Sequence, residues 1–108
     1  MLKRDLRLWG PISKKAKTIS TPFFNLKLAQ NGEGVSKFAF VVSKKVDPRA
    51  VVRNRTKRVL RSGIEENVDK IKKGFDFLFI LKKEAVGKNH LEVWKVLEKV
   101  IKDEKLSK

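Results

Sequence analysis

The sequence predicts an α+β protein, a single-domain α/β sandwich, and three features carry the prediction. Two apolar–polar alternations of strand length fall within residues 23–43, and a third run, 75–81, is apolar on both faces. Two longer stretches, one from residue 50 and one from residue 90, repeat apolar residues at helical spacing, so helices are interspersed with strands. With 108 residues, 41% of them hydrophobic, the chain is long enough for one compact core and short for two, and residues 1–108 are read as one domain. There is no internal repeat and no low-complexity segment.

In chain order, Leu8, Trp9 and Ile12 suggest a short N-terminal helix, which Gly10-Pro11 makes irregular or delays to Pro11, a residue suited to a first helical position. From Phe23 to Leu28, Phe24, Leu26 and Leu28 fall on one side of a half-buried strand, Asn25 and Lys27 on the other. Gln30-Asn31-Gly32-Glu33-Gly34 is a turn cluster. Lys37–Ser43 follows as a strand with Phe38, Phe40 and Val42 on one face and Ala39 and Val41 on the other, and the two strands are expected to form an antiparallel hairpin.

Beyond the basic loop from Lys44 to Arg49, a helix is expected from Ala50 to about Lys72. It gathers Val52, Thr56, Val59, Leu60 and Gly63 on one face, with Ile64 at the margin, and Asn54, Lys57, Arg58 and Arg61 opposite. Phe75–Leu81 reads as a central strand covered on both sides. Asn89-His90-Leu91-Glu92 resembles a capping box for a last helix, whose Leu91, Trp94, Leu97 and Ile101 recur at core spacing. Phe75, Phe77, Phe79 and Trp94 are assigned to the core.

Charge narrows the function. The chain carries 27 Lys/Arg against 12 Asp/Glu, a net +15. Residues 1–61 hold 16 bases and 3 acids, net +13, and residues 62–108 hold 11 and 9, net +2. A generally lysine-rich surface would spread the excess evenly, so the first part is read as a polyanion-binding surface. No apolar run approaches the ~20 residues of a membrane span, and Met1–Asp5 has no apolar run behind it, so neither a transmembrane helix nor a secretory signal is expected. A soluble, cytoplasmic protein is expected. With no cysteine, disulfides and thiolate metal sites are absent.

The densest signal is Arg53, Arg55, Lys57, Arg58 and Arg61, five cations on about three helical turns with no acid among them. Acids at i+4 normally relieve such crowding. Phosphates would do so here, through the planar forks of arginine, with Asn54 offering an amide to a sugar, phosphate or base edge. Lys44, Lys45 and Arg49 extend the same surface. Trp9, Phe23 and Phe24 are candidates for stacking on unpaired bases, although aromatics at strand spacing belong more often to a core. Catalytic groups are missing: His90 is the one histidine, Asp5, Asp47 and Asp76 are isolated, and no Gly-rich phosphate loop or metal-ligand spacing occurs. Any reaction would take its reacting groups from elsewhere.

Val41-Val42-Ser43-Lys44-Lys45-Val46, followed by Ala50-Val51-Val52-Arg53-Asn54-Arg55-Thr56-Lys57-Arg58-Val59-Leu60-Arg61, resembles the signature of the ribonuclease P protein family, and Lys73-Gly74-Phe75-Asp76-Phe77 resembles the start of that family's last strand. The resemblance covers residues 20–82 well and the final helix by position and length. It implies the order αβββαβα and a mixed sheet in which the basic helix joins two parallel strands by a left-handed βαβ crossover, against the usual right-handed preference.

The resemblance further implies that the RNA subunit holds the catalytic Mg2+ and hydrolyses the phosphodiester, while the protein assists removal of the 5′ leader of precursor tRNA. The partners implied are ribonuclease P RNA and precursor tRNA, with neither membrane nor DNA. Lys44, Lys45, Arg49, Arg53, Asn54, Arg55, Lys57, Arg58 and Arg61 are the RNA-binding positions implied. Trp9, Ser13, Phe24 and Lys27 match the lining of a leader-binding cleft between the first helix and the sheet. Ser13 and Lys27 stand where the family usually shows aromatics, so Lys27 is expected to offer the leader a phosphate contact in place of a ring.

Charge and fold alone leave open a ribosomal or other structural RNA-binding protein, which only the Arg-Asn-Arg signature in its strand–helix context separates from this reading. A nuclease acting by itself would need acids or metal ligands that the sequence lacks. A DNA-binding helix is disfavoured by the absence of a dimerisation element, and a membrane-surface helix by the absence of a bulky aromatic face.

Overall fold

The computed structural model describes Ile12 and residues 14–106. Four strands and two helices follow in the order β1 (Lys17–Ser20), β2 (Phe24–Gln30), β3 (Lys37–Val41), α1 (Ala50–Asn67), β4 (Phe75–Leu81) and α2 (His90–Asp103), with single 3-10 turns at Val68–Lys70 and Lys83–Ala85. The expected N-terminal helix lies outside the described residues, apart from Ile12. The strands form one mixed sheet in the order β1-β2-β4-β3. β1–β2 and β2–β4 are antiparallel and β3–β4 is parallel, with α1 as the crossover, consistent with the left-handed connection implied by the resemblance.

The expected hairpin is absent. β2 and β3 are not a hairpin, because β4 lies between them and pairs with both. The chain from Asn31 to Ser36 spans the place of one strand, roughly 10 Å, and grips the start of β4 on the way. The Asn31 backbone N–H donates to Gly74 O (2.9 Å), and its side-chain amide donates to Asp76 Oδ1 (2.9 Å). Ser36 Oγ donates to Lys72 O (2.7 Å) and accepts from the Phe75 N–H (3.2 Å). Gly74 turns the chain into β4 with φ +94°, a conformation that strains any residue with a Cβ.

β1 was not visible in the residue pattern, since Ile19 is its one apolar residue and its other three are exposed. Its turn into β2 is made by the buried Thr21, whose hydroxyl donates to Phe24 O and accepts from the Phe24 N–H.

The core lies on one side of the sheet. Phe24, Leu26, Leu28, Phe38, Phe77, Phe79 and Leu81 pack against Leu60 and Ile64 of α1 and Val93, Leu97, Val100 and Ile101 of α2. Phe77 stacks on Phe38 at 5.0 Å and on Phe79 at 6.2 Å, while Phe24 meets Phe79 edge-on at 5.2 Å. The capping box of α2 is present: Asn89 Oδ1 accepts from the Glu92 N–H and Glu92 Oε2 from the Asn89 N–H. Leu91 is not in the core. It is 60% exposed, because the inward stripe of α2 runs Val93, Leu97, Val100, Ile101 and leaves the first turn outside it; Trp94 sits at the margin. α1 stops at Asn67, short of Lys72, where Asn67 Nδ2 donates back to Gly63 O.

Phe77→Ala should cost about 3–5 kcal/mol, a large share of the roughly 5–15 kcal/mol that holds such a domain together. Urea denaturation would show it as a lowered midpoint at unchanged slope, and a loss below about 1 kcal/mol would remove Phe77 from the centre of the core.

Candidate nucleic-acid interface

α1 is two-sided. Thr56, Leu60, Gly63 and Ile64 are buried, and Thr56 satisfies its hydroxyl by donating to Val52 O (2.8 Å). Asn54, Arg55 and Arg58 are exposed on the other side, with Lys57 and Arg61 half-buried beside them. None of Arg55, Lys57, Arg58 or Arg61 forms an ion pair among the described residues. Arg61 is the best anchored, its guanidinium lying 5.5 Å over the ring of Phe40. The helix opens without a side-chain cap and without an acid in its first turn, so the positive end of its dipole adds to the same field.

The sequence grouped Arg53 and Arg49 with these cations, and the structure gives both a second task. Arg53 Nη1 donates to the carbonyls of Asp47 (3.0 Å) and Pro48 (2.7 Å), tying the loop down on the first turn of the helix. Arg49 forks onto Asp47: Nε donates to Oδ1 at 3.0 Å and Nη2 to Oδ2 at 2.9 Å, while the Arg49 backbone N–H also reaches Oδ1 at 2.9 Å. The Arg49 side chain is still 72% exposed and that of Asp47 only 11%, so Arg49 stays largely open to solvent while it holds the carboxylate. These hydrogen bonds from Arg49, its side chain first, hold the Asp47 carboxyl down to about 2 and raise the Arg49 pKa further above its ordinary value. The sequence reading passed over Asp47 as an isolated acid. Its signal was Asp-Pro at a turn just ahead of a helix, where an Asp side chain binds backbone N–H groups two residues on. Lys44 and Lys45 are exposed in the same loop, in a turn closed by the Val46 N–H on Ser43 O (3.1 Å).

The second face of the sheet carries the alternate residues: Asn25, Lys27 and Ala29 of β2, Leu78 and Ile80 of β4, and Ala39 and Val41 of β3. Of the four cleft positions, Lys27 lies here, half-buried. Phe24 does not. It is 0% exposed on the opposite face, because three residues along a strand reverse the side, and from the core it can stack on no base. Trp9 and Ser13 lie outside the described residues. Phe23 is half-buried with Lys88 Nζ 5.7 Å from its ring centre.

Mg2+ finds no fitting ligand set in the described residues. No three His, Asp or Glu side chains there are grouped to hold a metal, Asp47 is committed to Arg49, and Asp76 accepts from Asn31. His90, 3.9 Å from the Glu66 carboxylate at the start of α2, serves the contact between the helices.

A cationic helix face and loop carried on an α/β sandwich define a nucleic-acid-binding protein. The family model for ribonuclease P matches residues 4–105. The ribonuclease P protein component of Clostridium kluyveri is 33% identical over 93 residues, covering 84% of this chain and 82% of its own length. That of Alkaliphilus oremlandii is 30% identical over 82 residues, covering 76% and 71%. Among solved structures, the RNase P protein of Thermotoga maritima superposes with a TM-score of 0.75 at 28% identity, over 83% of this chain and 84% of that one. The Staphylococcus aureus RNase P protein gives 0.74 at 26% identity, over 88% and 86%. The chain belongs to the ribonuclease P protein family. It is therefore the protein subunit of a ribonucleoprotein endoribonuclease, works with ribonuclease P RNA, and binds precursor tRNA during removal of the 5′ leader.

The depressed Asp47 fixes a pH signature. An unfolded Asp titrates near ~3.9, so the stabilisation from the Asp47–Arg49 pair is fully present above that pH and is lost as pH falls through about 2. Asp47→Asn should accordingly be less stable than the native chain at neutral pH, with the difference closing as pH drops through that window. Thermal unfolding of both proteins at successive pH values measures it, and a difference that stays constant down to the acid limit would count against the pair.

Proposed function

We propose that the outward face of α1, namely Asn54, Arg55, Lys57, Arg58 and Arg61, together with Lys44, Lys45 and the exposed part of Arg49, binds ribonuclease P RNA. The observation that carries this is the run of helix cations left without acid partners among the described residues. On α2, by contrast, Lys102 lies 3.9 Å from Glu98 at i,i+4, and the charge there is nearly balanced. Arg53 contributes by fixing the loop, with whatever part of its guanidinium the two carbonyls leave over.

The second face of the sheet, with Lys27 at its centre, receives the single-stranded leader. Asn25 Oδ1, buried on that face without a hydrogen-bond donor among the described residues, supports a polar partner there. Residues 1–108 act as one RNA-binding domain. Catalytic Mg2+ resides with the RNA, whose phosphates supply the hard oxygen ligands the ion prefers. The chain's contribution is to screen repulsion between two polyanions and to hold the leader, which positions the scissile phosphodiester without touching it. No helix among the described residues is long and apolar enough to cross a membrane, and the cytoplasm, where precursor tRNA is made, is the proposed site of action. RNA is preferred to DNA as the partner.

The direct test is cleavage of a precursor tRNA by a bacterial ribonuclease P RNA at low magnesium, with and without the protein, alongside the protein alone. Leader removal should be stimulated only when both are present; cleavage by the protein alone would overturn the division of labour. Replacing Arg55 and Arg58 together with Ala should weaken binding to the RNA and flatten the salt dependence by about 0.7–0.9 per lost phosphate contact, and an unchanged slope would move the interface off α1. For the leader face, Lys27→Ala should flatten the salt dependence of precursor tRNA binding but not that of mature tRNA. Equal effects on both would place Lys27 elsewhere.

A further inference from the structure

The loop between β3 and α1 carries three outward cations, Lys44, Lys45 and Arg49, and two of its features run against simple charge attraction. It contains the acid Asp47, almost fully covered, in the most basic part of the chain. It also brings two guanidiniums together at that acid: Arg49 forks onto the carboxylate, and Arg53 holds the Asp47 and Pro48 carbonyls. Without a negative charge between them, Arg49 and Arg53 would repel each other, and the loop would keep only the Arg53 hydrogen bonds to its carbonyls to hold it against the helix. Arg49 gives Asp47 one hydrogen from Nε and one from Nη2, which leaves three of its five N–H donors for another acceptor.

We propose that Asp47 is a positioning residue for RNA binding: its carboxylate clasps Arg49 and the start of α1, so that the loop cations meet phosphate already ordered. The proposal rests on the reading of α1 and its loop as the RNA interface. A net charge of +15 makes its consequence distinctive. Removing an acid from a polycation should strengthen binding to a polyanion if charge alone decides. If the clasp decides, the same substitution weakens binding, because the arginine and its loop must then be ordered at the moment of association. Fixing one long side chain in advance is worth roughly threefold to tenfold in affinity.

The experiment measures binding of the full chain to ribonuclease P RNA for the native protein, Asp47→Ala, Asp47→Asn, Asp103→Ala and the Arg55→Ala/Arg58→Ala pair, each under conditions where near-ultraviolet circular dichroism shows the folded state. Asp47→Ala should bind about three- to tenfold more weakly despite its extra positive charge, while Asp103→Ala, which removes an exposed acid at the end of α2, should bind as tightly as the native chain or more so. If Asp47→Ala does not fold, Asp47→Asn serves, since it keeps an oxygen for the Arg49 backbone N–H and loses only the charge and the fork; it too should bind more weakly. The Arg49 Nε–H resonance should stand apart from the other arginines in the native protein and join them in both Asp47 variants, a change that general loosening of the core would not confine to Arg49. Native or tighter binding by the folded Asp47 variants, or an Arg49 resonance that does not move, would overturn the proposal. If the Arg55/Arg58 variant also binds like the native chain, the interface reading itself fails; if it weakens while the Asp47 variants do not, only the clasp does.

Discussion

The sheet and the two helices packed on it depend on β4. That strand pairs along its length with β2 on one side and β3 on the other, and its Phe77 and Phe79, both without exposure, form the floor on which the helices pack. An antiparallel partner on one side and a parallel one on the other require β3 and β4 to be joined by a crossover, and α1 is that crossover. The position of the cationic helix follows from the placement of β4, since the helix must leave the end of β3 and return to the start of the strand beside it.

The same placement keeps a crowded cationic helix folded. Arg55, Lys57, Arg58 and Arg61 repel one another, and pairing at i,i+4 offers no relief among the first four turns. What opposes the repulsion is burial of Leu60 and Ile64 against the sheet and α2, each worth about 1.5–3 kcal/mol, together with the contact of Arg61 on Phe40. The outward face is thus left unneutralised by the fold, which makes it available to phosphate.

The cations are not equivalent, although the sequence writes them as one run. Arg53 holds two loop carbonyls and Arg49 a carboxylate, whereas Arg55 and Arg58 hold nothing among the described residues. The first pair shapes the surface and the second supplies its charge. In the protein subunit of a ribonucleoprotein endoribonuclease, shape and charge are what these residues supply, and no three His, Asp or Glu side chains among the described residues are grouped to hold a metal.

What the sequence determined by itself was whatever depends on neighbours a few residues apart. Alternation marked β2 and β3, a run apolar on both faces marked β4, helical periodicity marked the buried side of α1, Asn89-His90-Leu91-Glu92 marked the start of α2, and the run from Arg53 to Arg61 marked the cationic face of α1 and, with its strand context, the family. The tertiary structure alone decided what depends on residues far apart in the chain: that β4 separates β2 from β3, that Ile19 with three exposed neighbours forms a strand because β2 offers an edge, that Val93 and Val100 rather than Leu91 face the core, that Phe24 points into it, and that Asp47 joins Arg49 and Arg53 into a clasp. Local pattern fixes which side of an element is apolar. Which neighbour covers that side is settled only when the whole chain competes for the same buried surface and hydrogen bonds.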